Sequence, residues 1–252
     1  MFAPSHLRLP RRDRAILGGL LGALAVAAWL ALWLWEGSPY GHYLHHDGSG
    51  PLPVGAALFA AGWLLMIVAM MLPSSVPLVV TFAALVGRRR RPGQLVALLL
   101  VGYLMVWGAF GATAWVADRG IHAAVDALPW LAEHPQIINA TTLAAAGLWQ
   151  FSPLRDRCLD ECRSPLGFVL NRWRGTSERS EALAMGVAHG AFCVGCCWSL
   201  MLVMFGVGLG SLSAMLALGA VTAIEKNLPS GRRLSRPLGL ALILAAVYAI
   251  AA

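Results

Sequence analysis

Long apolar runs separated by short polar stretches dominate the chain. Seven runs stand out, at residues 15–35, 54–86, 94–117, 136–152, 182–205, 210–225 and 236–252. A hydrocarbon core of ~30 Å needs about 20 residues of helix at ~1.5 Å each, and every run meets or approaches that length. The runs at 136–152 and 210–225 are the shortest and weakest. The run at 54–86 is overlong and carries Pro73 and Pro77, which predicts a kink or break inside it. The expected fold class is all-α: a polytopic membrane helix bundle of about seven transmembrane helices, forming a single domain over residues 1–252.

Composition narrows the class. Of 252 residues, 58% are apolar and 12% charged, about half the ~25% charge usual in soluble domains. The mean hydropathy is +0.68. A disordered chain is excluded, and an ordinary soluble domain is disfavoured. The first run follows Arg8, Arg11, Arg12 and Arg14 in the manner of a signal peptide. At 21 residues it is longer than the ~7–15 of a signal h-region, and no small-x-small site closes it, so it reads as an uncleaved first helix.

A net charge of +7 could suggest nucleic acid, but the placement of the charge points to membrane topology instead. Basic residues cluster at 8–14, 88–91, 155–179 and 226–236; 18 of the 19 lie in these alternate connections, and only Arg119 lies on the other side. With seven spans this places the N-terminus inside and the C-terminus outside. The expected location is the bacterial inner membrane, with the lipid bilayer as partner and no nucleic acid. No Asp, Glu, Lys or Arg sits mid-span, which disfavours ion pumps and proton-coupled transporters. The outer connections, 36–53 and 118–135, carry five of the seven histidines, including His42, His45 and His46, candidates for collecting metal.

The fifth run holds the unusual chemistry. At ~100° per residue, His189, Cys193, Cys196 and Cys197 fall within about 100° of one helix face, with Met185 and Met204 on or near the same arc. Thiol and imidazole groups suit soft or borderline metals such as Cu(I) and Zn(II). The alternative is plain packing, because cysteine is a common buried residue. Met70 and Met71 next to Pro73 add thioethers beside a break, where a freed backbone is tolerated if it lines a cavity or is buried in protein.

A second pair, Cys158 and Cys162, lies four residues apart in the Arg-rich inside connection, so a helix there would put both on one face. Glu225 could complete a cytosolic site with them, or with Lys226 could simply cap and anchor the sixth span. Counted from Ala182, His189 lies ~10 Å and Cys193–Cys197 ~17–23 Å along the helix, whereas Cys158 and Cys162 belong near the cytosolic surface. Two separate, successive sites are expected. Gly186-x-x-x-Gly190 permits close helix packing but is a weak signal.

These residues carry a resemblance. Trp63-x-x-Met66 with Ala69-Met70-Met71-Leu72-Pro73, Ala146-Gly147-Leu148-Trp149-Gln150 with Pro153, Cys158-Leu159, Cys162-Arg163-Ser164-Pro165, His189-Gly190 with Cys193-Val194-Gly195-Cys196-Cys197-Trp198, and Glu225-Lys226 together span about residues 54–240. The stretch resembles an uncharacterised bacterial family of predicted metal-binding integral membrane proteins. Where that pattern often has Tyr before the Gln, this chain has Trp149. The resemblance implies metal binding and no particular reaction.

The reading is a membrane protein that handles or delivers a soft metal, Cu(I) ahead of Zn(II), through a Cys/His/Met site on the fifth span, in exchange with a donor or acceptor protein. The rivals are a membrane thiol-disulfide oxidoreductase using Cys193-x-x-Cys196, and a metal-free scaffold or accessory subunit. The enzyme is disfavoured because the second cysteine pair lies on the reducing side.

Overall fold

The computed structural model describes residues 10–38, 52–207 and 211–251. His42, His45 and His46 lie outside the described residues. Among those described, the chain is all-helical: α1 (Arg11–Glu36), α2 (Leu52–Met70), α3 (Leu72–Val86), α4 (Pro92–Ala127), α5 (Pro129–Glu133), α6 (Gln136–Trp149), α7 (Pro153–Arg163), α8 (Pro165–Arg172), α9 (Glu178–Val207), α10 (Leu212–Asn227) and α11 (Arg232–Ala251).

Among the described residues, four helices are long and apolar enough to cross a membrane: α1, α4, α9 and α11. The pair α2 and α3 makes a fifth if taken as one span bent by 66°. The expected seven spans are therefore not all of spanning length. Helix α6 has 14 residues and α10 has 16, about 21 and 24 Å at ~1.5 Å per residue, short of a ~30 Å core. Both are cut by local chemistry. Ser152 caps α7 by accepting from the Leu154 amide, and Pro153 starts it. Helix α10 ends where Leu228 turns extended ahead of Pro229.

The bend between α2 and α3 falls where the prolines predict it. Pro73 lies in the first turn of α3, where its missing N–H costs no helical bond. The hydroxyls of Ser74 and Ser75 both donate to the Met71 carbonyl, at 2.8 and 3.3 Å. The expected loops at 118–135 and 155–179 are largely helical as well: α4 runs ten residues past its apolar stretch, and α7 and α8 fill the Arg-rich connection.

Helix α9 is the centre of the bundle, and α4 lies directly against it. A Cβ on Gly186 would collide with the Leu99 carbonyl, and one on Gly102 with that of Leu183. A Cβ on Gly190 would lie 3.1 Å from the Tyr103 carbonyl. The small-residue pattern on α9 therefore marks a real backbone-to-backbone contact. Helix α11 packs on α6 in the same way, through Gly239 and Gly147. Helix α1 buries only Leu21, Ala25, Ala28 and Leu32. Its other faces leave Leu20, Leu24, Leu30 and Leu34 exposed, and α11 likewise exposes Leu240, Leu244 and Val247. Helices apolar all round in this way suit a lipid surround.

Candidate metal centre

The face of α9 that carries His189, Cys193, Cys196 and Cys197 points into the bundle, and all four side chains are buried. Cys196 Sγ lies 3.2 Å from Cys197 Sγ and donates to the Cys193 carbonyl at 3.2 Å. Cys193 Sγ is 3.1 Å from the Tyr103 hydroxyl on α4.

The fourth sulfur comes from elsewhere. Helix α7 folds back against α9 and brings Cys162 Sγ to 4.0 Å from Cys196 Sγ. Cys158, one turn earlier, packs on Gly195: a Cβ there would stand 2.6 Å from the Cys158 sulfur. The expectation of two distant, successive clusters is overturned. Depth counted along α9 alone could not register that the 153–172 connection is two helices lying on the bundle.

Lys226 is the group that sequence reasoning misplaced. It does not anchor a helix end in solvent. It is buried, and its ammonium donates to Cys193 Sγ at 2.9 Å, with Ser74 Oγ at 3.4 Å and Met71 Sδ at 3.9 Å. A buried ammonium beside sulfur supplies the cation that thiolates in a low-dielectric site require. The available signal was that Lys226 is the only lysine in a chain with eighteen arginines. Met71 thus reaches the cluster across the α2–α3 break. Met70 is buried and turned to α10, where a Cβ on Gly219 would lie 3.5 Å from its side chain.

Of the other expected ligands, His189 is engaged at one ring nitrogen and Glu225 is committed elsewhere. His189 Nε2 lies 3.2 Å from Ser75 Oγ, and its ring stacks on Tyr103 with centroids 5.6 Å apart; Nδ1 is buried without a partner. Glu225 does not complete a site with Cys158 and Cys162, because its carboxylate accepts from Arg155 Nη2 at 2.6 Å and from Ser235 Oγ at 2.8 Å. Arg155 is fully buried and also donates to Ser235 Oγ at 2.8 Å, while Arg163 holds the Glu225 and Leu228 carbonyls. This network ties α7, α10 and α11 together. Among the described residues, no three His, Cys, Asp or Glu side chains stand ready as a metal-holding group. The donors at hand are cysteine and methionine sulfurs around one ammonium. That set suits a soft or borderline ion such as Cu(I) or Zn(II) better than a hard one.

Outside the apolar spans, burial and the nearby Glu161 carboxylate hold the Cys158 thiol above its usual range. All five cysteines are free thiols.

No curated protein and no solved structure matches the chain. The model of the PpoB2 family, described as copper chaperone, matches residues 60–249, which take in all five cysteines, Met70, Met71 and Lys226. That is most of the chain, and its copper label agrees with the metal-related resemblance of the motifs. The chain belongs to the PpoB2 copper chaperone family.

Proposed function

We propose that the protein is a membrane-embedded chaperone that holds Cu(I) between α9, α7 and the α2–α3 break. Two of the four thiols of Cys193, Cys196, Cys197 and Cys162 ionise to thiolates on binding, the others stay protonated, and Met71 supplies a thioether. The observation that carries this reading is the convergence of sulfurs from three separate elements on one buried point beside Lys226. Cu(I) bound by two thiolates carries one net negative charge, and the Lys226 ammonium neutralises it. A divalent ion with the same ligands would leave an unbalanced positive charge beside that ammonium, which favours Cu(I) over Zn(II).

The four apolar helices and their exposed leucines support integration in a bilayer, and the arginine clusters support placing 88–91 and 155–179 on the cytosolic face of a bacterial inner membrane. Cys162, half-buried on α7, is then the sulfur nearest to a soluble exchange partner on that side. His189 has a positioning role: its Ser75 contact couples α9 to the turn that presents Met71. The test is Cu(I) and Zn(II) competition with chromophoric chelators on the full-length protein in detergent. Cu(I) is expected to be retained and Zn(II) lost; preferential Zn(II) retention would overturn the assignment.

A further inference from the structure

A second site adjoins the Arg155–Glu225–Ser235 network, with which it shares Ser235. A cleft of about 680 Å³ opens between the end of α6 and the first turn of α11, walled by Gln150, Phe151, Ser235, Arg232, Arg233 and Arg236, with one carboxylate, Asp156, which Arg232 faces at 3.5 Å. Its arginines are not equivalent. Arg232 is spent on Asp160 at 3.0 Å and Asp156 at 3.5 Å. Arg233 and Arg236 are exposed and make no ion pair among the described residues. The N-terminus of the 20-residue α11 adds its partial positive charge to the same opening.

Gln150 supplies an independent observation. It is 2% exposed, and neither its Nε2 nor its Oε1 has a hydrogen-bond partner. A buried amide with both ends unpaired is costly to leave so, and it calls for a ligand that offers both an acceptor and a donor. Phe151, half-exposed at the cleft, and Leu240 and Leu244 along the outer face of α11 give an apolar surface beside the polar opening.

We propose that this cleft binds a phosphate group that carries hydroxyls. Arg233 and Arg236 take the anionic oxygens, and Gln150 bridges a phosphate oxygen and a hydroxyl. The ligand is either the headgroup of an anionic phospholipid or a soluble phosphate compound. The site is independent of the copper reading and stands or falls separately from it.

The experiment uses full-length protein in a neutral detergent, with phosphatidylglycerol, phosphatidylcholine and inorganic phosphate as probes, read by native mass spectrometry and by thermal shift. The variants are Arg233→Gln with Arg236→Gln, and Gln150→Leu. The control is Arg90→Gln with Arg91→Gln, in the other arginine cluster. Phosphatidylglycerol is expected to be retained at least about tenfold better than phosphatidylcholine, and both test variants to lose about tenfold while the control is unchanged. The exposed arginine pair keeps the test valid if Gln150→Leu fails to fold. Stabilisation by inorganic phosphate alone, lost in the same variants, would support the site with a soluble ligand. Equal binding in the Arg233/Arg236 variant, or equal loss in the control, would overturn the proposal in favour of no site or of diffuse charge.

Discussion

Lys226 Nζ lies 2.9 Å from Cys193 Sγ and 3.9 Å from Met71 Sδ, so one ammonium touches sulfurs from two separate elements. If this cation balances a copper thiolate centre, Lys226→Met should weaken Cu(I) retention by about tenfold or more, because a hydrogen bond to a charged group contributes about 1.5–3 kcal/mol. Lys226→Arg keeps the charge in a bulkier planar group and should recover part of the loss. Chelator competition on both variants checks this. Equal affinity in Lys226→Met and the parent would remove the ammonium from the account.

Contact between α7 and α9 depends on Gly195. A Cβ there would stand 2.6 Å from Cys158 Sγ and 3.3 Å from its Cβ. Gly195→Ala should therefore cost about 1–3 kcal/mol through overpacking and lower the Tm in detergent. Adding Cys158→Ala should relieve the clash. A double variant no more stable than Gly195→Ala alone would mean that the two residues are not coupled.

The Arg155–Glu225 pair is fully enclosed, so breaking one side leaves a buried charge. Glu225→Gln should destabilise the protein by about 3 kcal/mol or more, while replacing Arg155 and Glu225 together with Met and Leu should cost much less. Thermal unfolding of the parent and the two variants decides the matter. Similar melting of the single and double variants would contradict the role given to the network.

Cys162 is the only one of the five cysteines that is not buried, and Cys158 is held above the usual thiol range by burial and Glu161. A raised thiol pKa means a smaller thiolate fraction at neutral pH, and Cys162 is also held above its usual range, chiefly by its hydrogen bond with Cys193, so both α7 thiols should alkylate slowly at pH 7 and faster as pH rises. Access then sets the order: a membrane-impermeant maleimide should mark the half-buried Cys162 before the buried Cys158, and only from the cytosolic face. Labelling of Cys162 in intact spheroplasts from the outer side would reverse the proposed orientation.

Much of this was legible in the sequence because it follows from local rules. Pro73 and Pro77 located the break between α2 and α3, and ~100° spacing put His189, Cys193, Cys196 and Cys197 on one buried face. Gly186 and Gly190 marked the α4 contact, though too weakly to name the partner. What escaped depends on tertiary placement. The polar composition of residues 153–172 reads as a loop, yet Arg155 and Cys158 face inward and the segment folds back to deliver Cys162. Lys226 was counted as a topology charge because a basic residue at a span end usually reaches for water; here its long stem carries the ammonium inward to sulfur. The short helices α6 and α10 were counted as spans because hydropathy does not register where a cap or a proline cuts a helix.

The central claim is that the α9 thiols hold copper. Its most direct measurement is the copper content, by elemental analysis, of full-length protein purified after growth in copper, compared with Cys193→Ser/Cys196→Ser and with Cys162→Ser. The account predicts bound copper in the parent, none in the double variant, and a clear loss in Cys162→Ser, whose sulfur lies 4.0 Å from that of Cys196. Parent-level copper in the Cys193/Cys196 variant would contradict it.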